Sequence, residues 1–175
     1  MMKRTGKHIR DLIIPIFMTI LLPLMINRCE HQQFQRPLMT YSMMQMIVGV
    51  IVGLAGLALL ISSIVLMITI AKSTVMPWDP AQRLVITGPY RHLRNPMILG
   101  VVILLIGEAL ILSSLGIAIL AVVFFFGNTL YFIYFEEPKL EEQFGKAYRS
   151  YKHNVPRWLP RVKPWKPQQD TKDMD

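Results

Sequence analysis

Apolar and polar residues alternate along this chain in long blocks, not in the short periods of a soluble fold. Four apolar runs stand out, at 12–26, 43–71, 96–112 and 115–135. The run 43–71 carries no charge over 29 residues. As a helix it would be about 43 Å long, enough to cross a bilayer with tilt. The first run follows four basic residues, but no small-residue cleavage site closes it, so it reads as a retained span, bent near Pro15 or Pro23. Ser113-Ser114 and Gly116 leave room only for a tight turn between the last two runs, which predicts an antiparallel hairpin. Gly49, Gly53 and Gly56 contain a G-x-x-x-G spacing and predict a face that a neighbouring helix approaches closely. The pattern therefore predicts an all-α, polytopic membrane protein with about four transmembrane helices.

The intervening segments are a polar loop at 27–42, a connector at 72–95 and a basic tail from 136 onward. Pro138 is expected to start a separate tail helix at 138–152. Leu140, Phe144, Ala147, Tyr148 and Tyr151 share one face of it, and Glu142 and Lys146 form an i, i+4 pair. Such an amphipathic helix would lie on the membrane or cap the bundle. Trp158 and Trp165, among Arg157, Arg161 and Lys163, read as interfacial anchors, and 167–175 as disordered.

Composition sharpens this picture. The 175 residues are 53% hydrophobic, which suits one membrane domain. The net charge of +8 could point to nucleic acid, but the basic residues are not spread evenly. The segments outside the runs hold four, two, four, zero and nine Lys plus Arg in chain order, so 17 of 19 fall in alternate segments. The positive-inside rule then puts both termini and the connector in the cytoplasm, with no role for nucleic acid. The reading is a multi-pass protein of the cell membrane, the inner membrane in a bacterium. One cysteine, Cys29, excludes an internal disulfide, and four scattered histidines argue against a metal site.

The candidate chemistry sits where the runs meet the cytoplasm. Gly88-Pro89-Tyr90-Arg91-His92-Leu93-Arg94-Asn95-Pro96-Met97 packs two prolines, a glycine, two arginines and an aromatic ring into ten residues. The prolines shape this connector, and its side chains can bind anions or stack on rings. Glu136 and Glu137 close the fourth run; one could accept hydrogen bonds from a ligand's hydroxyls, or both could be a solvated helix end. Asn128, about 12 Å deeper, could line a cavity or bond to another helix. Glu108 lies inside the third run; it is either a functional intramembrane carboxylate or, only five residues from the outer turn at Ser113, one that reaches the far interface.

A longer pattern joins these pieces. Leu84-Val85-x-x-Gly88-Pro89-Tyr90-x-x-x-Arg94-Asn95-Pro96, then Glu136-Glu137, then Phe144-Gly145-x-x-Tyr148-x-x-Tyr151-x-x-x-Val155-Pro156-x-x-x-Pro160 resembles the isoprenylcysteine carboxyl methyltransferase family and related phospholipid methyltransferases. The resemblance implies a membrane methyltransferase using S-adenosylmethionine. It implies cofactor contacts at Gln82, Leu84, Val85, Tyr90, Arg94, Asn95, Pro96, Met97, Ile98 and Glu136. Gln82 and Asn95 stand where the prenylcysteine enzymes usually have histidine, and Ile98 where they often have tyrosine. Phe132 replaces an arginine implicated in handling their substrate, which favours a different lipophilic or lipid acceptor; Asn128 and Phe132 are the substrate-side candidates. No general base is assigned. Two other classes compete: an NADPH-dependent membrane reductase, whose relatives have more spans, and a non-enzymatic protein binding lipid or a partner.

Overall fold

The computed structural model describes residues 17–34, 42–71 and 83–166. Pro15, Gln82 and the tail at 167–175 lie outside the described residues, and with them the expectations attached to each. All regular structure among the described residues is helical. A π-helical turn, Phe17–Leu21, leads into α1 (Leu22–Phe34). Next come α2 (Met43–Leu66), ending in a second π turn (Met67–Ala71), and a 3-10 turn (Gly88–Arg91). The chain continues with α3 (Pro96–Leu112), α4 (Leu115–Tyr131), a third π turn (Phe132–Glu136) and α5 (Glu137–Asn154).

Helices α2 and α3 meet backbone to backbone. A Cβ on Gly56 would lie 2.5 Å from the Leu104 nitrogen, and one on Gly107 would lie 2.5 Å from the Gly53 nitrogen. Nothing larger than glycine fits there, so the small-residue face serves packing within this chain. Beside this seam, Leu60, Val101, Leu105, Ala109, Ile117 and Ala121 form the buried core of α2, α3 and α4.

The hairpin between α3 and α4 is tight because Ser113 takes left-handed geometry (φ 49°) and the Ser114 hydroxyl accepts from the Ile117 N–H at 3.2 Å. The Gln45 amide donates to the Leu110 carbonyl at 2.9 Å and to Ser113 Oγ at 3.0 Å, fastening the hairpin to α2. Glu30 accepts from the Ser114 hydroxyl and from the Gly116 N–H, placing a carboxylate at the positive end of α4. This corrects the sequence expectation of a loop starting at residue 27: α1 continues to Phe34 and carries Glu30 to its partners.

Among the described residues, two helical stretches are long and apolar enough to cross a membrane: Met43–Ile70, and Leu115–Asn154, which is kinked at Gly145. Both leave large apolar side chains uncovered, among them Ile51, Leu54, Val123 and Phe126. Helix α3 is shorter, at 17 residues.

The expected break at Pro138 does not occur. Proline lacks an N–H and its ring crowds the carbonyl four residues back; the wider π turn at Phe132–Glu136 accommodates both, and the helix runs on. Glu136 and Glu137 are thus mid-helix residues, not a solvated helix end. The break falls instead at Gly145 (φ 52°, ψ −123°), a backbone conformation open to glycine. It separates Glu142 from Lys146, which form no ion pair, and leaves Ala147 exposed while Tyr148 and Tyr151 are buried.

Candidate functional site

The connector folds from its own prolines and glycine. Gly88 takes φ 54°, Pro89 opens the 3-10 turn, and the His92 and Leu93 N–H groups return to the Pro89 carbonyl at 3.0 and 3.1 Å. This turn lays the Tyr90 ring against Val85 and the end of α2 at Leu66, Met67 and Ile70. The Tyr90 carbonyl accepts from the Tyr151 hydroxyl at 2.7 Å, tying the connector to α5. Burial, with the Glu136 carboxylate adding to it, pushes the Tyr90 phenol well above its ordinary value, so it stays neutral.

The two adjacent glutamates have different surroundings. Glu137 is buried and fully engaged: Arg94 Nη1 at 2.9 Å, Arg157 Nη2 at 2.7 Å and Lys152 Nζ at 3.1 Å converge on it. It joins the connector, α5 and the segment beyond α5 through charge-assisted bonds. Glu136 has no hydrogen bond or ion pair among the described residues, yet is largely removed from solvent. Burial pushes its carboxyl up to about 7; Lys139 opposes the shift and Glu137 adds to it.

Beyond α5 the chain doubles back along the connector as a strap. The Arg94 N–H donates to the Pro156 carbonyl at 2.9 Å, Arg161 N–H to His92 at 2.9 Å, and Trp165 N–H to Arg91 at 3.0 Å. Arg91 Nε and His92 Nδ1 return bonds to the Trp165 and Arg161 carbonyls. Trp158 and Trp165 therefore do not project outward as anchors. Trp158 packs with Ile98, Val102 and Phe132 and lies 4.8 Å from Phe125, centroid to centroid; Trp165 packs on Tyr151.

The residues singled out from the sequence divide accordingly. Tyr90 and Val85 share one cluster, Ile98 and Phe132 another, and Leu84 packs on Tyr148, Tyr151 and Val155. Pro96 is buried in the first turn of α3, and Met97 faces the core of α2–α4. Arg94 is committed to Glu137, although its Nε has no partner. The Asn128 amide bonds to the Phe124 carbonyl of its own helix. Two further buried donors have no partner: Asn95 Nδ2 and Trp158 Nε1. Trp158, Arg157 and Lys152 were not expected at the site. Pro156 and Pro160 around Trp158 were the available signal, since they mark a shaped segment and not a trailing tail.

Below this cluster a cavity of about 370 Å³ opens between α3 and α4, lined only by apolar side chains, including Val102, Ile106, Ala121, Phe125 and Phe126. Val102 and Phe125 belong both to its wall and to the surroundings of Trp158.

A family model described as phospholipid methyltransferase matches residues 44–147, from the start of α2 through the Gly145 break. The chain belongs to this family. No curated protein and no solved structure matches it significantly. Membership makes the chain a methyltransferase-family protein with lipid-like substrates as the family's theme, and its two long apolar helices accord with a membrane protein.

Proposed function

We propose that the protein transfers a methyl group from S-adenosylmethionine to a lipophilic or lipid acceptor at the cytoplasmic face of the membrane. In this reading the chain crosses the bilayer four times, with both termini, the connector and α5 on the cytoplasmic side.

The observation that carries the reading is the contrast between Glu137, saturated by cations, and Glu136, a half-buried carboxylate left without a partner beside Tyr90. A carboxylate drawn partly out of water with no protein partner is open to a ligand that donates hydrogen bonds to it. Asn95 Nδ2 is fully buried and also without a partner, a donor where Glu136 is an acceptor. Together they fit S-adenosylmethionine, whose ribose hydroxyls can donate and whose adenine and carboxylate can accept. Glu136, Asn95 and the Tyr90 connector would hold it. The bound cofactor would supply an electrophilic methyl group on a sulfonium.

The chain's own contribution is then position and the exclusion of water. The Glu137 hub and the strap bonds hold the connector rigid, so Asn95 keeps its place at the head of α3. Ile98, Phe132 and Trp158 form a dry wall between this place and the apolar cavity. A lipid chain entering sideways from the bilayer would find that cavity, while its polar group reaches the wall. Phe132 removes charge from this side and suits an acceptor without a free carboxylate.

The test is incubation of purified protein with methyl-labelled S-adenosylmethionine and a total lipid extract. Label in the organic phase that depends on the extract supports the reading. Label that stays aqueous, alongside oxidation of NADPH with the same extract, would replace it with a reductase.

A further inference from the structure

The strap presents an apolar ridge that nothing in the chain covers. With both tryptophans turned inward, Leu159 is 80% exposed and Val162 is 95% exposed, the two least covered large apolar side chains after α5. A monomeric soluble surface tolerates isolated exposed apolar residues, but here they stand on a segment held stiff by five hydrogen bonds to Arg91, His92 and Arg94. Lys163 and Lys166, both exposed, flank them and form no ion pair among the described residues. The other two basic groups nearby are occupied: Arg157 by Glu137, and Arg161 by the Asn154 carbonyl. The strap also has a fixed level. It is bonded to the residues directly before Pro96, where α3 begins, and Trp158 reaches Phe125 within α4. The ridge therefore stands at the mouth of the apolar helices.

We infer that the strap is a membrane-docking device: Leu159 and Val162 insert into the cytoplasmic leaflet, and Lys163 and Lys166 bind the headgroups of anionic lipids. Charge complementarity selects this occupant over a second copy of the chain, whose own strap would bring the same lysines face to face. Docking bears on the neighbouring site because the same segment carries Trp158 and pins the connector. The inference stands on the placement of the strap and does not depend on methyl transfer.

The full chain, with Cys29→Ser to remove the native thiol and Val162→Cys to carry an environment-sensitive fluorophore, is reconstituted into nanodiscs of zwitterionic lipid or of the same lipid with phosphatidylglycerol. Docking predicts blue-shifted emission in the anionic discs, quenching by lipids spin-labelled near the headgroup, and protection from aqueous iodide. Replacing Lys163 and Lys166 with alanine should weaken the preference for anionic lipid roughly fivefold per lysine. Emission that iodide quenches equally in both discs would overturn the proposal. So would protection accompanied by disulfide dimers of the unlabelled Val162→Cys protein, which would make a second copy the occupant.

Discussion

Glu137→Gln should loosen the connector far more than the same change one residue earlier. The substitution keeps the shape of the side chain and removes its charge. Arg94, whose side chain is 11% exposed, and Arg157, at 22%, are then left in a half-closed environment with no carboxylate to answer them. Breaking a buried pair in this way costs about 3–5 kcal/mol, most of it the penalty of the stranded charges. Lys152 adds little, because at 39% exposure water screens it and Glu141 remains a partner at 2.6 Å. For a chain of this size about 2–4 °C of midpoint corresponds to each kcal/mol, so thermal unfolding in detergent should begin about 6–20 °C lower. Glu136→Gln removes no partner and relieves the burial of a charge, so at pH 8 its midpoint should equal or exceed that of the parent. Differential scanning fluorimetry of the three proteins decides the matter. Equal losses for both variants, or no loss for Glu137→Gln, would refute this division of labour.

Affinity for S-adenosylmethionine should rise with pH between 6 and 8 and then level: the Glu136 carboxyl, pushed up to about 7, accepts the stronger, charge-assisted hydrogen bonds through both oxygens only when ionised, so binding weakens as pH falls through that value, by up to about tenfold per unit. Glu136→Gln should flatten the profile, as titrations across the range would record. Gly107→Ala should destabilise the protein by about 1–3 kcal/mol, because its Cβ meets the α2 backbone at 2.5 Å, whereas Gly127→Ala, with open space around it, should be neutral or stabilising. Paired unfolding scans would show the difference. Tyr151→Phe should cost about 1–3 kcal/mol by leaving the Tyr90 carbonyl unpaired, and hydrogen exchange at the connector should speed up while α3 stays protected.

The features legible in the sequence were those set by local pattern. The uncharged run at 43–71, the Ser113-Ser114 hairpin and the Gly49–Gly56 face all report on short-range geometry, and helices α2 to α4 follow from them. The shaped connector was legible for the same reason, since Gly88, Pro89 and Pro96 restrict their own backbone. What escaped depends on distant partners. Glu136 and Glu137 look alike as neighbours, and only Arg94 and Arg157, 43 and 20 residues from Glu137, tell them apart. Trp158 carries the composition of an interfacial anchor, but Phe125 and Phe132 offer it a better burial than the bilayer surface. Pro138 reads as a helix start because pattern rules know α-helices; the preceding π turn lets the helix pass.

Glu136 and Asn95 are proposed to hold S-adenosylmethionine beside the Tyr90 connector. Calorimetric titration of S-adenosylmethionine, and then S-adenosylhomocysteine, into detergent-purified protein tests it most directly, with Glu136→Gln and Asn95→Ala alongside. The account predicts saturable binding by the parent, weakened roughly 10–100-fold in Glu136→Gln through loss of a charge-assisted hydrogen bond, with the folded state intact. Undiminished affinity in both folded variants would contradict it and move the cofactor elsewhere on the protein.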